Sequence, residues 1–255
     1  MAEWDPGQYL RFEGERLRPA LDLLARVPLE RPARIVDLGC GAGNVSAILK
    51  QRFPEADVLG VDGSAAMLQK AHASAPGCRF VQADAGTWQP EAAPDLIYSN
   101  AALHWLRHHE VLFPRLLTLL APGGCLAVQM PAMHDAPFRA LQYAVAAQGP
   151  WSGRLSEVGS APPILDAGGY WDLLRPRAAA LDLWETVYLH ALSGEEAVVE
   201  WATGSSLRPF LEALPEGERA AFRRAYADAI RPHYPRRADG TTLLPFRRLF
   251  LLARM

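Results

Sequence analysis

Apolar and polar residues follow two different patterns along this chain, and the changes from one pattern to the other divide it into predicted strands and helices. Short runs rich in Val, Ile and Leu end at Gly, Pro, Asp or Asn, which is typical of strands buried on both faces. Between them, apolar residues recur every three or four positions, the spacing of a helix. The predicted strands are 34–38, 56–62, 78–84, 94–100 and 125–131, and helices are predicted near 9–26, 44–53, 64–75 and 111–120.

Strands that alternate with helices at this spacing predict an α/β fold with a parallel, doubly wound sheet and helices on both faces. The regular alternation of predicted strands and helices ends after Pro131, where a segment rich in Gly, Pro and Trp runs to about residue 180. A long strand is predicted at 181–192, helices near 195–214 and 216–230, and the chain ends in the apolar run RLFLLARM. We expect the two late strands to form a hairpin added to the sheet edge, with the late helices as a lid.

This organisation predicts three parts of one continuous domain. Residues 1–31 are expected to form an N-terminal helical cap, and residues 32–131 the ligand-binding core. Residues 132–255 are expected to supply lid helices and the last two of seven mostly parallel strands.

Composition and charge narrow the range of partners. The 255 residues carry a formal net charge of −2 without a block of like charge, so nucleic acid is not expected as a partner. The N-terminus has no apolar signal core, and no later apolar run reaches membrane-spanning length. Three widely separated cysteines predict reduced thiols in a cytoplasmic protein. We expect a monomer or a weak homo-oligomer.

A glycine-rich loop follows the first predicted strand and opens the next helix. Gly39, Gly41 and Gly43 alternate after Asp37, and Asn44 stands where a dinucleotide-binding loop would need its third glycine. The sequence also lacks the Gly-Lys-Ser/Thr end of a nucleotide-triphosphate loop. Glycines let a ligand approach the backbone, while the carboxylate of Asp37 would repel a diphosphate and attract an ammonium group. The site is therefore predicted to be Rossmann-like but not specific for a dinucleotide.

Three more polar residues stand where predicted strands end. Asp62 follows the glycine loop by about twenty residues and suits two ribose hydroxyls, and Asp84 suits an adenine amino group. Asn100 ends the fourth strand beside the same crevice. Each alone is better explained as a turn or a helix cap, but their recurrence at consecutive strand ends favours a ligand site.

Residues 34–131 resemble the class I S-adenosylmethionine-dependent methyltransferases, whose loop reads Asp/Glu-x-Gly-x-Gly-x-Gly and whose second strand ends in an acid. The resemblance implies that the glycine loop holds the methionine part, Asp62 the ribose, and Asp84 with Ala85 the adenine edge. The cofactor-binding residues it implies are Asp37, Gly39, Cys40, Gly41, Asn44, Asp62, Gly63, Met67, Asp84, Ala85, Asn100 and Ala101.

Segments outside this core narrow the class of acceptor. The stretch SNAALHWL after the fourth strand lacks the prolines of adenine-amino methyltransferases, and no acidic metal cluster indicates metal-dependent transfer. SNAALHWL, LAVQMP, EWATGSSLRPFLEALPE and the N-terminal EWDPGQYLRFEGERLRPALDLLARVP resemble the bacterial trans-aconitate methyltransferases. The resemblance is weakest over 132–177.

That family implies methyl transfer to one carboxylate of trans-aconitate, a small tricarboxylate, giving a monomethyl ester. A carboxylate is already ionised at neutral pH, so no catalytic base or metal is expected and catalysis would rest on positioning. His104 and Trp105 would lie nearest the methyl group. Open alternatives are another small acid, a hydroxyl or a carbon acceptor, for which His104 is the candidate base, and a cofactor-binding protein without catalysis. The formal net charge of −2 argues against a nucleic-acid methyltransferase, which would need a basic surface to bind its substrate.

The acceptor-binding residues proposed from this resemblance are Tyr9, Arg16, His104, Trp105, Trp201 and Arg208. Arg208 is favoured as the carboxylate clamp, with Arg18 and Arg247 as further candidates. Trp4 and Phe12 are further wall residues, and for any one of these side chains plain surface or core packing is an equal alternative. His108 and His109 are interpreted as a solvated helix start.

Overall fold

The computed structural model describes residues 13–158 and 164–255. The predicted roles of Trp4, Tyr9 and Phe12 lie outside the described residues. The strands are β1 (Arg34–Leu38), β2 (Asp57–Asp62), β3 (Arg79–Gln82), β4 (Leu96–Asn100), β5 (Cys125–Pro131), β6 (Ala180–Ser193) and β7 (Thr241–Arg254).

The strands form one seven-stranded sheet in the order β3-β2-β1-β4-β5-β7-β6. The first five in this order pair in parallel, and β7 pairs antiparallel with β5. The predicted fold class, an α/β Rossmann-like sheet that is mostly parallel, is therefore confirmed. The two late strands do lie at one edge, although 47 residues (194–240) separate them, so no tight turn joins them.

The helices around the sheet lie close to their predicted positions. Ser64 caps the helix that follows β2, because its side chain accepts a hydrogen bond from the backbone N–H of Met67. The helices are α1 (Glu13–Leu24), α2 (Asn44–Arg52), α3 (Ala65–Ser74), α4 (His109–Thr118), α5 (Pro137–Ala147), α6 (Ser152–Leu155), α7 (Ala167–Leu174), α8 (Ala197–Thr203), α9 (Arg208–Ala213) and α10 (Glu216–Ile230), with 3₁₀ turns at Leu103–Trp105 and Arg231–His233. No helix in the described ranges is long and apolar enough to cross a bilayer.

The described residues divide into two compact units. Of the described residues, the strand unit comprises 16–131, 164–186 and 248–255, and the helical unit comprises 13–15, 132–158 and 187–247. The core of the strand unit includes strand residues such as Ile35 and Leu96, which are fully buried. The core of the helical unit combines aliphatic residues with aromatic ones such as Trp201, Phe210 and Phe222. The carboxyl ends of β1 to β5, where ligands bind in such sheets, all lie in the strand unit.

Candidate active site

The glycine loop between β1 and α2 has a backbone that only glycine adopts readily. Gly39, Gly41 and Gly43 have φ values of 80°, 54° and 83°. A Cβ atom placed on Gly39 would lie 2.2 Å from the Cβ of Ala102, in the turn after β4. The N–H of Gly39 donates to the carbonyl of Val61 at 2.7 Å. The loop therefore lies directly against the ends of both neighbouring strands.

The carboxylate of Asp62 joins the end of β2 to this loop. Its Oδ2 accepts a hydrogen bond from the N–H of Gly41 at 2.9 Å, and its Oδ1 accepts from the N–H of Ser64 at 2.9 Å. An ionised carboxylate has about four acceptor positions, so these two bonds orient it and leave acceptor capacity for a ligand hydroxyl. Met67 lies over the same loop, with its methyl carbon 3.4 Å from a Cβ built on Gly41.

Asp37 lies beneath the loop rather than on its surface. It is 1% exposed, and its Oδ2 accepts a 2.6 Å hydrogen bond from the hydroxyl of Ser46 in α2. The pKa of Asp37 is raised from 3.8 to about 7, mainly because burial disfavours its charged form and in lesser part because of the nearby charge of Asp62. Burial also raises the pKa of the Cys40 thiol well above its usual value, so this side chain stays neutral and apolar.

The turn after β3 is held by an arginine that the sequence analysis did not single out. Asp84 Oδ1 accepts from the N–H of Gly86 at 2.8 Å. The guanidinium of Arg115, on α4, donates to the carbonyls of Trp88 at 2.7 Å, Ala85 at 3.1 Å and Gly86 at 2.8 Å. Arg115 thus fixes the backbone that presents Asp84 and Ala85. In the sequence it is one more arginine on an amphipathic helix, so no signal separates it from the others.

The end of β4 carries both backbone strain and an unsatisfied polar atom. Ala101 has a φ of 52°, unusual for a residue with a side chain, and its N–H donates to the carbonyl of Gln129 at 2.9 Å. The Oδ1 of Asn100 is buried and has no hydrogen-bond partner among the described residues. Both features are expected where a chain is shaped to meet a ligand.

His104 and Trp105 occupy the 3₁₀ turn directly after Asn100 and Ala101. Their rings pack with centroids 4.6 Å apart, and Trp105 is 51% exposed. The turn is tied to α4 by His109, whose Nε2 lies 3.0 Å from the carbonyl of Leu103 and whose Nδ1 lies 2.6 Å from the hydroxyl of Tyr170.

The interpretation of the two adjacent histidines as solvated is wrong for the second one. His108 is exposed, but His109 is 6% exposed and packs on Phe113 and Tyr170. Burial lowers the pKa of His109, so it stays neutral and buttresses the turn that carries His104.

The arginines predicted as carboxylate clamps have different surroundings. Arg208 Nε donates to Glu212 at 2.6 Å, one turn along α9. Arg247 donates to Asp135 and, at 2.9 Å, to the carbonyl of Ala132. Arg16 lies in α1, where Arg18 is exposed.

Trp201 is buried in the core of the helical unit. It is 4% exposed, and its ring stacks on His190 with centroids 4.8 Å apart. Phe246 also lies close to it, with ring centroids 6.0 Å apart.

Comparison with known proteins identifies the family. A family model described as a methyltransferase domain matches residues 9–185. The trans-aconitate 2-methyltransferase of Methylobacterium radiotolerans is 51% identical over 100% of this chain and 99% of its own length. The enzyme of the same name from Paracidovorax citrulli is 49% identical with the same coverage. The chain belongs to the trans-aconitate 2-methyltransferase family.

This methyltransferase also resembles solved structures of low sequence identity. The YcgJ protein of Bacillus subtilis is 13% identical, with a TM-score of 0.58 over 92% of this chain and 96% of that one. At that level of identity the likeness supports the fold alone.

The chain is an S-adenosylmethionine-dependent methyltransferase, and the strand ends described above fit that cofactor. The closely approached backbone at Gly39 leaves no room for a side chain. The buried Oδ1 of Asn100 has no partner among the residues that the structure describes, so it is suited to accept a hydrogen bond from the ligand's amino group. Asp62 is held in place with spare acceptor capacity for ribose hydroxyls.

Proposed function

We propose that this chain transfers the methyl group of S-adenosylmethionine to a carboxylate oxygen of trans-aconitate. The products are a monomethyl ester and S-adenosylhomocysteine. The observation that carries the proposal is that 46–51% identity to relatives named for this activity extends over essentially the whole chain. It covers the residues after Pro131, which lie outside the cofactor motifs.

The cofactor supplies an electrophilic methyl group on a sulfonium sulfur. We propose that the backbone of Gly39 and Gly41 cradles its methionine part, that Asp62 accepts from the ribose hydroxyls, and that Asp84 accepts from the adenine amino group. The further residues proposed to line this site are Asp37, Cys40, Asn44, Gly63, Met67, Ala85, Asn100 and Ala101.

The acceptor needs little chemical activation. A carboxylate with a reference pKa near ~4 is ionised at neutral pH, so no proton has to leave before the oxygen attacks. What the protein supplies is alignment and exclusion of water, which together can lower a barrier by roughly 7–11 kcal/mol. We therefore assign no catalytic base, and propose His104 and Trp105 as walls of the methyl-transfer region.

Residues for the other carboxylates follow from the family resemblance. We propose Tyr9, Arg16, His104, Trp105, Trp201 and Arg208 as acceptor-binding residues. The hydrogen bond from Arg208 to Glu212 means that Arg208 would have to share or exchange its partner to hold a substrate carboxylate.

An assay with labelled S-adenosylmethionine tests the proposal. The acceptors are trans-aconitate, cis-aconitate, isocitrate, citrate and itaconate, and the products are identified by mass spectrometry. We expect a single methyl added preferentially to trans-aconitate. If no acid is methylated while S-adenosylhomocysteine still binds, the acceptor assignment is wrong and the methyltransferase assignment stands.

The proposal extends to the cellular location and the oligomeric state of the protein. We propose a cytoplasmic protein, supported by three separated cysteines that are all free thiols in the structure. We propose a monomer or weak homo-oligomer, which size-exclusion chromatography with light scattering would test. We also retain the division into a cap (1–31), a cofactor-binding core (32–131) and a lid with the last two strands (132–255) as a proposal.

A further inference from the structure

The strand unit contains a buried glutamine that the cofactor site does not use. Gln129, on β5, is 0% exposed. Neither its Oε1 nor its Nε2 has a hydrogen-bond partner within the part of the chain that the structure describes. A buried amide that forfeits its hydrogen bonds with water is costly, so native proteins rarely keep one without a reason. A ligand that binds to it is such a reason.

The position of Gln129 places it beside the predicted methyl-transfer region. In the parallel pairing of β4 and β5 it stands opposite Asn100. The backbone carbonyl of Gln129 also receives the N–H of Ala101 at 2.9 Å, which joins it to the strained turn. Asn100 Oδ1 is likewise without a partner among the described residues, so the two amides do not satisfy each other. Near their carboxyl ends, two adjacent strands thus carry amide atoms that have no hydrogen-bond partner among the described residues.

A buried cation lies on the other side of Gln129. β7 runs antiparallel to β5, and Gln129 stands opposite Phe250 while Pro131 stands opposite Arg248. Residues two apart on a strand share a face, so Arg248 is the diagonal neighbour of Gln129 on one face, at a typical spacing of roughly 7–8 Å. Arg248 is 5% exposed. Its planar guanidinium carries five donors, enough for an anion in addition to protein contacts.

We propose that Gln129 and Arg248 together bind a carboxylate of the acceptor that is not methylated. The amide Nε2 of Gln129 donates to one oxygen, and the guanidinium of Arg248 supplies donors and the positive charge. This inference rests on the proposed function, since it assumes an acceptor with more than one carboxylate. The carboxylate that is not methylated would then bind one strand away from Asn100. Its binding would bring another carboxylate of the acceptor towards the methyl donor.

Arg247 and Arg208 do not offer the same environment. The side chain of Arg247 is 34% exposed and that of Arg208 is 25% exposed. Burial matters because a hydrogen-bonded ion pair is stronger where water is excluded. Arg248 is therefore the stronger candidate for selecting an anionic substrate.

The experiment compares Gln129→Met and Arg248→Lys with the wild-type enzyme. Met keeps the length of Gln but has no amide, and Lys keeps the charge but lacks the bidentate fork. We expect the KM for trans-aconitate to rise about tenfold or more in each variant, because each loses a hydrogen bond to a charged group. The dissociation constant of S-adenosylhomocysteine should stay within about twofold.

Arg254→Gln is the matched control. Arg254 stands on the same strand six residues further along, at the amino end of β5, where it is opposite Cys125. Its position is offset from Arg248 by six, an even number, so the two side chains share a face. Its loss should leave the KM for trans-aconitate unchanged.

A second measurement avoids dependence on turnover. Isothermal titration of trans-aconitate into the enzyme saturated with S-adenosylhomocysteine should show weaker binding by a similar factor in both variants. An unchanged KM and unchanged affinity for trans-aconitate in both variants would overturn the inference. It would also be overturned if the variants lost as much affinity for S-adenosylhomocysteine as for trans-aconitate. If Arg248→Lys does not fold, Gln129→Met and Gln129→Glu carry the test, and Glu should raise the KM more than Met. A wild-type enzyme that methylates no acid refutes the proposed function itself, which separates the two failures.

Discussion

The hydroxyl of Ser46 donates a 2.6 Å hydrogen bond to Oδ2 of Asp37, and both side chains are buried beneath the glycine loop. Burial raises the pKa of Asp37 to about 7, and the bond from Ser46 opposes part of that rise. The charge state of the group below the cofactor loop therefore changes near neutral pH.

The first prediction concerns pH and cofactor affinity. In the proposed binding mode ionised Asp37 would attract the ammonium of the ligand and protonated Asp37 would not, so S-adenosylhomocysteine should bind more tightly as pH rises through about 7. Ser46→Ala removes the bond that favours the ionised form and should move the midpoint to higher pH. Titration calorimetry between about pH 5.5 and about pH 8.5 measures both effects.

Asp37→Asn is the control, since it should bind more weakly and with no midpoint near pH 7. The ligand-free protein provides an independent check. The folded state keeps a proton that the unfolded chain releases above about pH 4, so this carboxyl group makes the free energy of unfolding fall as pH rises from about 4 to 7. A wild-type affinity that parallels that of Asp37→Asn at every pH would refute the role.

The second prediction concerns Gly39. Gly39→Ala places a Cβ atom 2.2 Å from that of Ala102, so the loop must move and S-adenosylhomocysteine affinity should fall more than about 100-fold. Gly123→Ala is the control, because Gly123 has a φ of 76° and no described atom within 4 Å of an added Cβ. It should cost about 1 kcal/mol of stability without changing affinity. Equal effects of the two substitutions on affinity would contradict the close approach.

The third prediction concerns Arg115. Arg115→Met leaves three carbonyls of the turn after β3 without their donor, so the position of Asp84 becomes less defined. We expect the dissociation constant of S-adenosylhomocysteine to rise about tenfold with little change in the KM for the acid. The matched control is Arg79→Met, which removes an exposed pair with Asp57 worth about 0–1 kcal/mol. Wild-type affinity for S-adenosylhomocysteine in Arg115→Met would show that the turn after β3 keeps its conformation without this side chain.

The fourth prediction concerns His104. A general base contributes about 10²- to 10⁴-fold, whereas a wall residue contributes less. Because a carboxylate acceptor has no proton to lose, His104→Ala should lower kcat less than about tenfold and leave the shape of its pH profile unchanged. A larger loss together with a vanished ionisation in the profile would favour the alternative of a hydroxyl or carbon acceptor.

The cofactor half of the fold could be predicted from sequence because its signals are local. The apolar run Arg34–Leu38 fits a buried strand, and the glycines after it have few other uses. The strand-end positions of Asp62 and Asn100 follow once the strands are located.

The features that sequence reasoning missed depend on non-local contacts. Gln129 lies in an apolar strand and has no distinctive neighbour in sequence, while Arg248 is one of two adjacent arginines. Only the register of β5 with β7 places these two on one face. His109 was mistaken for a surface residue because its partner, Tyr170, is 61 residues away.

The most direct test of the central claim is a competition experiment. Equal amounts of trans-aconitate, cis-aconitate and citrate compete for a limiting amount of methyl-labelled S-adenosylmethionine, and the product ratio reports relative kcat/KM. Mild alkali then distinguishes an ester, which releases labelled methanol, from an ether or a C-methyl product, which does not. We predict that most of the label enters trans-aconitate and that alkali releases it. Label that resists alkali, or that enters another acid preferentially, would contradict the account.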